Sequence, residues 1–163
     1  MKELVMIQKL KKQDKVNKII SLILLISWLL LIFYFSNQQG SVSENSSNQV
    51  INLLDNFFKL FNQNLDITRL DYIVYLVRKS AHMFLYFILY LLTYYTMYEF
   101  NIKKRIYLSL IFCFLYAVSD EIHQLFIPRR SFQITDIFID TIGASLAFSL
   151  IILKIKFRKT CKL

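Results

Sequence analysis

Residues that end helices and form turns are scarce in this chain, which has one proline and two glycines among 163 residues. A soluble globular domain of this length needs more turn residues and a more polar surface. Instead, 56% of the residues are hydrophobic and 16% are aromatic. Long apolar segments with few breaks dominate the sequence, and this composition predicts an all-α integral membrane protein.

Cysteine is also rare, and the two cysteines lie far apart in the predicted topology. Cys113 falls in the middle of an apolar segment, whereas Cys161 lies in the basic C-terminal tail. A disulfide between them would have to join the interior of the membrane to the cytoplasm, so we expect none. Neither cysteine has a neighbouring histidine or cysteine in the sequence that would indicate metal binding or catalysis.

Four segments are long enough, or nearly so, to cross a bilayer as helices. They cover approximately residues 19–35, 81–98, 106–127 and 134–153. We predict one domain over residues 1–163, an integral membrane four-helix bundle. The first segment could be a signal peptide, but no small-x-small cleavage pattern follows it, so we interpret it as an uncleaved anchor.

Positive charge is unevenly distributed among the connections of the predicted helices. Of the 20 lysine and arginine residues, 14 fall before the first span, between the second and third spans, or after the fourth. Basic connections stay in the cytoplasm, so we predict that both termini are cytoplasmic. The same residues would contact anionic lipid head groups. They bracket membrane spans and form no separate basic domain, so we do not expect nucleic-acid binding.

Residues 36–71 form the one long connection that is predicted to lie outside the cell. Within it, residues 50–61 have apolar side chains spaced as one face of a helix. This pattern predicts an amphipathic helix, either in the outer membrane interface or packed as a lid on the bundle, and periodicity alone does not separate the two. The segment Thr68–Asp71 is typical of a helix N-terminus and predicts the start of the second helix.

Ionisable residues at membrane depth are costly and usually mark a functional site. A helix rises about 1.5 Å per residue, which places His82, Asp120 and Asp140 about 21–25 Å from the cytoplasmic boundary. All three therefore fall in the outer part of a hydrocarbon core about 30 Å thick. We predict that they form one polar cluster open to the outer face.

Helical spacing assigns three sets of residues to shared faces. The sets are Arg78 with His82; Asp120 with His123 and Gln124; and Asp136 and Asp140 with Gly143, Ala144 and Ala147. Glu121 lies about 100° around the helix from Asp120. The small residues of the third set would let a neighbouring helix come close, which would direct both aspartates into the bundle. Asp136 alone is better explained as stabilising a helix N-terminus.

The residue types of this cluster favour chemistry on an anionic group. A histidine held by an aspartate can act as a general base or nucleophile, and we predict His123 in this role, with Asp120 or Asp140 as its partner. The candidate catalytic residues are His123, Asp120, His82, Asp140 and Glu121. Arginine forks suit phosphate or carboxylate groups. The candidate anion-binding residues are Arg78, Arg130 and Gln124.

Several alternatives to catalysis stay open. A structural ion-pair network, with Arg78 or Arg130 bonding the aspartates, would use the same residues. A non-catalytic protein could use the cluster to bind a lipid head group or an anionic group of a partner. A proton- or ion-coupled transporter is less favoured, because four short helices leave little room for two gates. Two histidines with carboxylates suit zinc or manganese, but no tight ligand motif is present, so we expect no cofactor.

The same residues resemble the VanZ-like membrane protein family. The resemblance is carried by residues 35–38, 78–82 and 119–126 and by Tyr86, Pro128, Arg130, Asp136, Asp140, Thr141, Gly143 and Ala144. It covers nearly the whole chain. Two positions depart from the usual pattern of the family: Leu85 stands where a glutamate is common, and Arg129 where a glycine is common.

The resemblance implies a multi-pass protein of the bacterial cytoplasmic membrane. The namesake of the family is linked to low-level resistance to teicoplanin-type glycopeptide antibiotics, whose target lies in cell-wall precursors outside the membrane. Membrane lipids and a lipid-linked cell-wall precursor are therefore the partners that we expect. The resemblance supplies a phenotype and leaves the reaction open. Our first hypothesis is hydrolysis or group transfer on a lipid-linked envelope substrate.

Overall fold

Four long helices make up the part of the chain that the computed structural model describes, which is residues 2–37, 67–128 and 130–160. We number them α1 (Lys2–Ser36), α2 (Ile67–Glu99), α3 (Arg105–Gln124) and α4 (Ile134–Thr160). No strand occurs within these residues. The prediction of an all-α protein with four helices is confirmed.

Three of the helices are long and apolar enough to cross a membrane. These segments are Gln13–Ser36, Arg105–Gln124 and Ile134–Arg158. Large apolar side chains cover their outer faces; Leu30 is 62% exposed and Leu115 is 60% exposed. Such surfaces are unfavourable in water and are normal against lipid. Three of the four predicted segments are therefore apolar enough to cross a membrane, and α2, which carries several tyrosines, is not among these three.

The central helix of the bundle is α2, which contacts each of the other three helices. It runs antiparallel to α1, since Thr96 near its end donates a hydrogen bond to the carbonyl of Ser21 at 3.2 Å. It runs parallel to α4, since Met83 meets Gly143 and, further along both helices, the Tyr90 ring meets that of Phe148. Parallel packing means that residues early in α2 face residues early in α4.

Polar side chains join the helices by donating hydrogen bonds to backbone carbonyls. The Trp28 indole of α1 donates to the carbonyl of Leu85 in α2 at 3.0 Å. The Tyr116 hydroxyl of α3 donates to the carbonyl of Leu29 in α1 at 2.9 Å. In an apolar interior, such bonds satisfy groups that lipid cannot, and they set how far one helix slides along another.

The helices α2 and α4 approach each other closely at Gly143. A Cβ atom added at this position would overlap the carbonyl oxygen of Met83. The neighbouring Ala144 and Ala147 are completely buried. The predicted role of this small-residue face, admitting a neighbouring helix, is confirmed, and the neighbour is α2.

The two ends of the bundle differ in charge. One end carries the short α2–α3 turn, where Asn101 and Lys104 adopt left-handed backbone conformations with φ of 55° and 59°. The Arg105 guanidinium that follows lies 4.8 Å from the Tyr98 ring centroid. Since the helices alternate in direction, the basic end of α4 lies at this end too. The acidic residues of α3 and α4, with His82, lie towards the other end.

Three predicted features lie outside the described residues: the amphipathic helix at residues 50–61, Arg129, and Cys161. The helix α2 begins at Ile67, next to the predicted start at Thr68.

The contact at Gly143 predicts a strong effect of added bulk. We expect Gly143→Val to destabilise the bundle by about 1–3 kcal/mol, because the new side chain meets backbone rather than a flexible side chain. Membrane abundance and melting temperature in detergent would both fall. The matched control is Ser149→Val, at an exposed position of the same helix. Equal abundance and melting of the two variants would show that the close contact is not required.

Candidate functional site

Two ion pairs lie along the contact between α2 and α4, which we call the α2–α4 seam. Lys79 pairs with Asp136, and the side chains are each 15% exposed. Further along both helices, Nδ1 of His82 lies 3.7 Å from Oδ1 of Asp140. The two pairs follow one another because residues three or four apart share a face on each helix. The close approach at Gly143 lies just beyond the second pair.

The His82–Asp140 pair joins a buried carboxylate to a partly exposed imidazole. The Asp140 side chain is 2% exposed, and that of His82 is 27% exposed. A separation of 3.7 Å is longer than a hydrogen bond, so attraction between charges holds the pair when His82 is protonated. A histidine in this setting can accept a proton from a group that approaches its exposed edge, with Asp140 stabilising the charge that develops.

The cluster extends to α3 and α1 through Gln124. Its side-chain nitrogen Nε2 donates to Oδ2 of Asp120 at 3.3 Å and to the hydroxyl of Ser36 at 3.2 Å. All three side chains are buried. The charge of His82 also acts on the Asp120 carboxylate. The structure therefore brings His82, Asp120 and Asp140 to one end of the bundle, and all four helices contribute to the cluster.

Glu121 is buried beside the cluster and has a contact of its own. Its Oε2 accepts a hydrogen bond from the backbone N–H of Gln133 at 2.9 Å. Gln133 directly precedes α4, so this bond fastens the start of α4 to the end of α3. This hydrogen bond gives the buried Glu121 carboxylate a structural role at the junction of α3 and α4.

His123 contacts α1, and no ion pair or hydrogen bond joins it to a carboxylate among the described residues. Its ring stacks on Phe33 of α1, with 4.8 Å between the ring centroids. Its Nε2 has no hydrogen-bond partner among the described residues. Three residues along a helix turn by about 300°, so His123 lies about 60° from Asp120 on the side away from Gln124. We predicted that His123 pairs with Asp120 or Asp140. In the structure, Asp140 pairs with His82, and His123 stacks on Phe33.

Two arginines lie close to the cluster. Arg130, in the α3–α4 connection, donates from Nη2 to the carbonyl of Phe35 at 3.4 Å, and its buried Nε has no partner among the described residues. Partial burial and then the like charge of Arg78 lower the pKa of Arg130 from its ordinary value. The guanidinium still stays protonated at neutral pH. Two neighbouring cations repel each other, and an anion bound between them would relieve that repulsion.

Three contributors to the cluster lie in segments that carry the family resemblance, but residue type and spacing did not assign them to the site: Lys79, Tyr86 and Ser36. Lys79 lies three residues before His82 and Arg78 lies four before it, and both spacings fit one helical face. Spacing alone therefore does not choose which of the two cations meets α4. Tyr86, one turn after His82, is completely buried. Its position beside His82 is the signal that could have found it.

Among the described residues, no group of three histidine, cysteine, aspartate or glutamate side chains is arranged to hold a metal ion.

The fold and the polar cluster define a multi-pass membrane protein with an ionisable site at one end of its helix bundle. The chain matches the model of the VanZ/LLP1 family over residues 21–155, and it belongs to this family. The resemblance noted from the sequence is confirmed, and the matched region contains the whole cluster from Ser36 to Asp140. Comparisons with curated proteins and with solved structures found no match.

The Lys79–Asp136 pair predicts a charge-swap result. We expect Lys79→Glu or Asp136→Lys alone to cost roughly 2–4 kcal/mol of stability, because each places two like charges in a partly buried contact. The combined swap, Lys79→Glu with Asp136→Lys, would restore much of the loss. Melting temperature in detergent measures all three variants. A double variant that is less stable than both single variants would contradict the pairing.

Proposed function

We propose that this protein acts on a lipid-linked anionic component of the bacterial cell envelope, by hydrolysis or group transfer at the outer side of the cytoplasmic membrane. One observation carries the proposal: His82 lies against the buried Asp140 at the end of the bundle that also holds Arg78 and Arg130. A base with an orienting carboxylate and a cationic anion clamp are the two parts that such a reaction needs.

The roles of the residues follow from their contacts. His82 takes a proton from the attacking group, because its imidazole is the partly exposed member of the pair. Asp140 orients His82 and balances its charge. Arg78 and Arg130 bind the anionic group of the lipid, since their mutual repulsion favours an anion between them. Asp120 supports the site from α3 through its bond with Gln124.

Membrane topology is part of the proposal. The helix α2 packs against three helices that are apolar enough to cross the membrane, so we infer that it crosses with them. Lysine and arginine concentrate at the end with the α2–α3 turn, and this asymmetry supports a cytoplasmic location for that end and for both termini. The cluster then opens towards the outer leaflet, where the head group of a lipid-linked cell-wall precursor lies.

A second candidate function is binding of the same lipid head group without turnover. The observation that favours it is the 3.7 Å separation of His82 and Asp140, which is longer than a hydrogen bond. Binding could shield the head group from a glycopeptide antibiotic. Asp140→Asn separates the two candidates, because it removes the orienting charge of a base and leaves the arginine clamp in place. Resistance that survives Asp140→Asn at normal abundance would favour binding.

The two histidines give the sharpest test of the proposed function. We expect expression of the wild type in a teicoplanin-susceptible bacterium to raise its resistance, and His82→Ala to abolish this effect. Turnover of a polyprenyl-phosphate substrate by the purified protein would fall on the order of 100-fold or more. His123→Ala is the matched control, since His123 contacts Phe33 instead of a carboxylate. Full resistance and turnover in His82→Ala at normal abundance would refute the proposal.

Cysteine labelling tests the proposed topology. Starting from a background with Cys113→Ala and Cys161→Ser, single cysteines replace Lys103 in the α2–α3 turn and Phe126, which is 78% exposed, in the α3–α4 connection. We expect a membrane-impermeant maleimide to label the Phe126 position in intact cells. The Lys103 position should react only after the membrane is opened. The opposite pattern would place the cluster in the cytoplasm and exclude an outward-facing site.

A further inference from the structure

The Tyr86 hydroxyl and Oδ1 of Asp140 form no hydrogen bond with a described residue, although Oδ1 faces Nδ1 of His82 at 3.7 Å, which is longer than a hydrogen bond. Tyr86 is completely buried and Asp140 is 1% exposed. Both atoms are themselves buried. Native proteins pair nearly all such groups with protein or with water. Two unpaired groups in one place therefore point to a bound group that pairs with both.

Both groups belong to the α2–α4 seam. Tyr86 follows His82 by one turn on the same face of α2, which is the face that meets α4. Tyr86 lies one turn beyond His82, and His82 pairs with Asp140, so the unpaired donor and the unpaired acceptor are about one helical turn apart along the contact of α2 with α4. The partly exposed His82 side chain lies between this point and the outer end of the bundle.

Other buried hydroxyls of the central helix are paired. Tyr90 is one turn beyond Tyr86 and equally buried, yet its hydroxyl donates to the carbonyl of Ile106 at 3.1 Å. Thr93 donates to the carbonyl of Leu89 at 2.8 Å. The lack of a hydrogen-bond partner is therefore specific to Tyr86 and is not shared by these other buried hydroxyls of α2.

We propose that the α2–α4 seam binds a hydroxyl group between Tyr86 and Asp140. A hydroxyl accepts a hydrogen bond at its oxygen and donates one from its proton, so a single group satisfies both residues. A phosphate oxygen only accepts and would be repelled by the Asp140 carboxylate. An ammonium group only donates and would leave the Tyr86 donor unpaired. The occupant is therefore water or an alcohol of a lipid head group.

The hydroxyl site deepens the proposed function, and it rests on that function for its role in the reaction. A hydroxyl held at Tyr86 and Asp140 donates its proton towards Asp140, and His82, which pairs with the same carboxylate, takes that proton when the hydroxyl oxygen attacks. The hydroxyl oxygen forms a bond to the phosphorus of a lipid-linked phosphate ester, the ester P–O bond breaks, and His82 passes the proton to the departing oxygen. With water as the attacking group the reaction is a hydrolysis, and with an alcohol it is a transfer. The anionic group of the lipid would be held separately, by Arg78 and Arg130.

A double-mutant cycle tests the hydroxyl site. The melting temperature in detergent is measured for the wild type, Tyr86→Phe, Asp140→Asn and the combined variant. A shared occupant predicts that Tyr86→Phe lowers the melting temperature and that the combined loss falls short of the sum by about 2 °C or more. The matched control is Tyr90→Phe, which loses its bond to Ile106 and should be additive with Asp140→Asn.

Two lipids then distinguish an alcohol from water. Phosphatidylglycerol carries head-group hydroxyls, whereas phosphatidic acid has the phosphate without them. An alcohol occupant predicts that phosphatidylglycerol stabilises the wild type and Tyr90→Phe more than phosphatidic acid does, and that Tyr86→Phe loses this difference. Equal effects of both lipids, together with a non-additive cycle, would identify water as the occupant.

The inference is overturned if Tyr86→Phe melts at or above the wild-type temperature, as removal of an unpaired hydroxyl from a dry site would do. An additive cycle overturns it too. The inference is also overturned if the combined variant does not accumulate in the membrane although both single variants do. A shared occupant predicts that the combined loss of stability is smaller than the sum of the single losses. None of these measurements uses resistance or turnover. The outcome of these measurements is therefore independent of the His82→Ala test. Retained activity of His82→Ala would refute only the proposed function.

Discussion

The close contact of α2 with α4 at Gly143 is the constraint on which the rest of the structure depends. Without a side chain at this position, the two helices can approach until Met83 meets the α4 backbone. The approach brings Lys79 within reach of Asp136 and His82 within reach of Asp140. Helices held further apart would leave four ionisable groups separated in weakly solvating surroundings, where a lost partner costs far more than in water.

The polar side chains of the bundle are arranged as expected for a ligand site that does not continue through the whole length of the bundle. At the end of the bundle away from the α2–α3 turn, the Lys79–Asp136 pair comes first, the His82–Asp140 pair comes next, and Tyr86 lies one turn further along α2. Beyond Tyr86, the hydroxyls of Tyr90, Thr93, Thr96 and Ser109 each donate to a backbone carbonyl, two of them across to a neighbouring helix. Backbone carbonyls satisfy these groups, and the four hydroxyls do not bond to one another as a chain. This arrangement suits a ligand site that is closed at its inner end better than a path for ions across the membrane.

Much of the architecture could be predicted from the sequence, and the partners within the cluster could not. Counting the rise per residue placed His82, Asp120 and Asp140 at one depth, and the structure brings them to one end of the bundle. His123 is only three residues from Asp120 in the same helix and is assigned by helical spacing to the same face, yet it stacks on Phe33. Depth follows from residue number along a straight helix. Direction depends on how each helix is rotated about its own axis, and neighbours decide that rotation.

Composition and helical spacing are enough to predict the class of the protein, its four helices, the small-residue face of α4 and the separation of charge between the two ends. The pairing of Lys79 with Asp136, the pairing of His82 with Asp140 and the unpaired hydroxyl of Tyr86 became visible only in the packed helices. The physical reason is that helical spacing leaves neighbouring positions, such as residues 78 and 79, nearly equivalent. Packing against a second helix chooses between them.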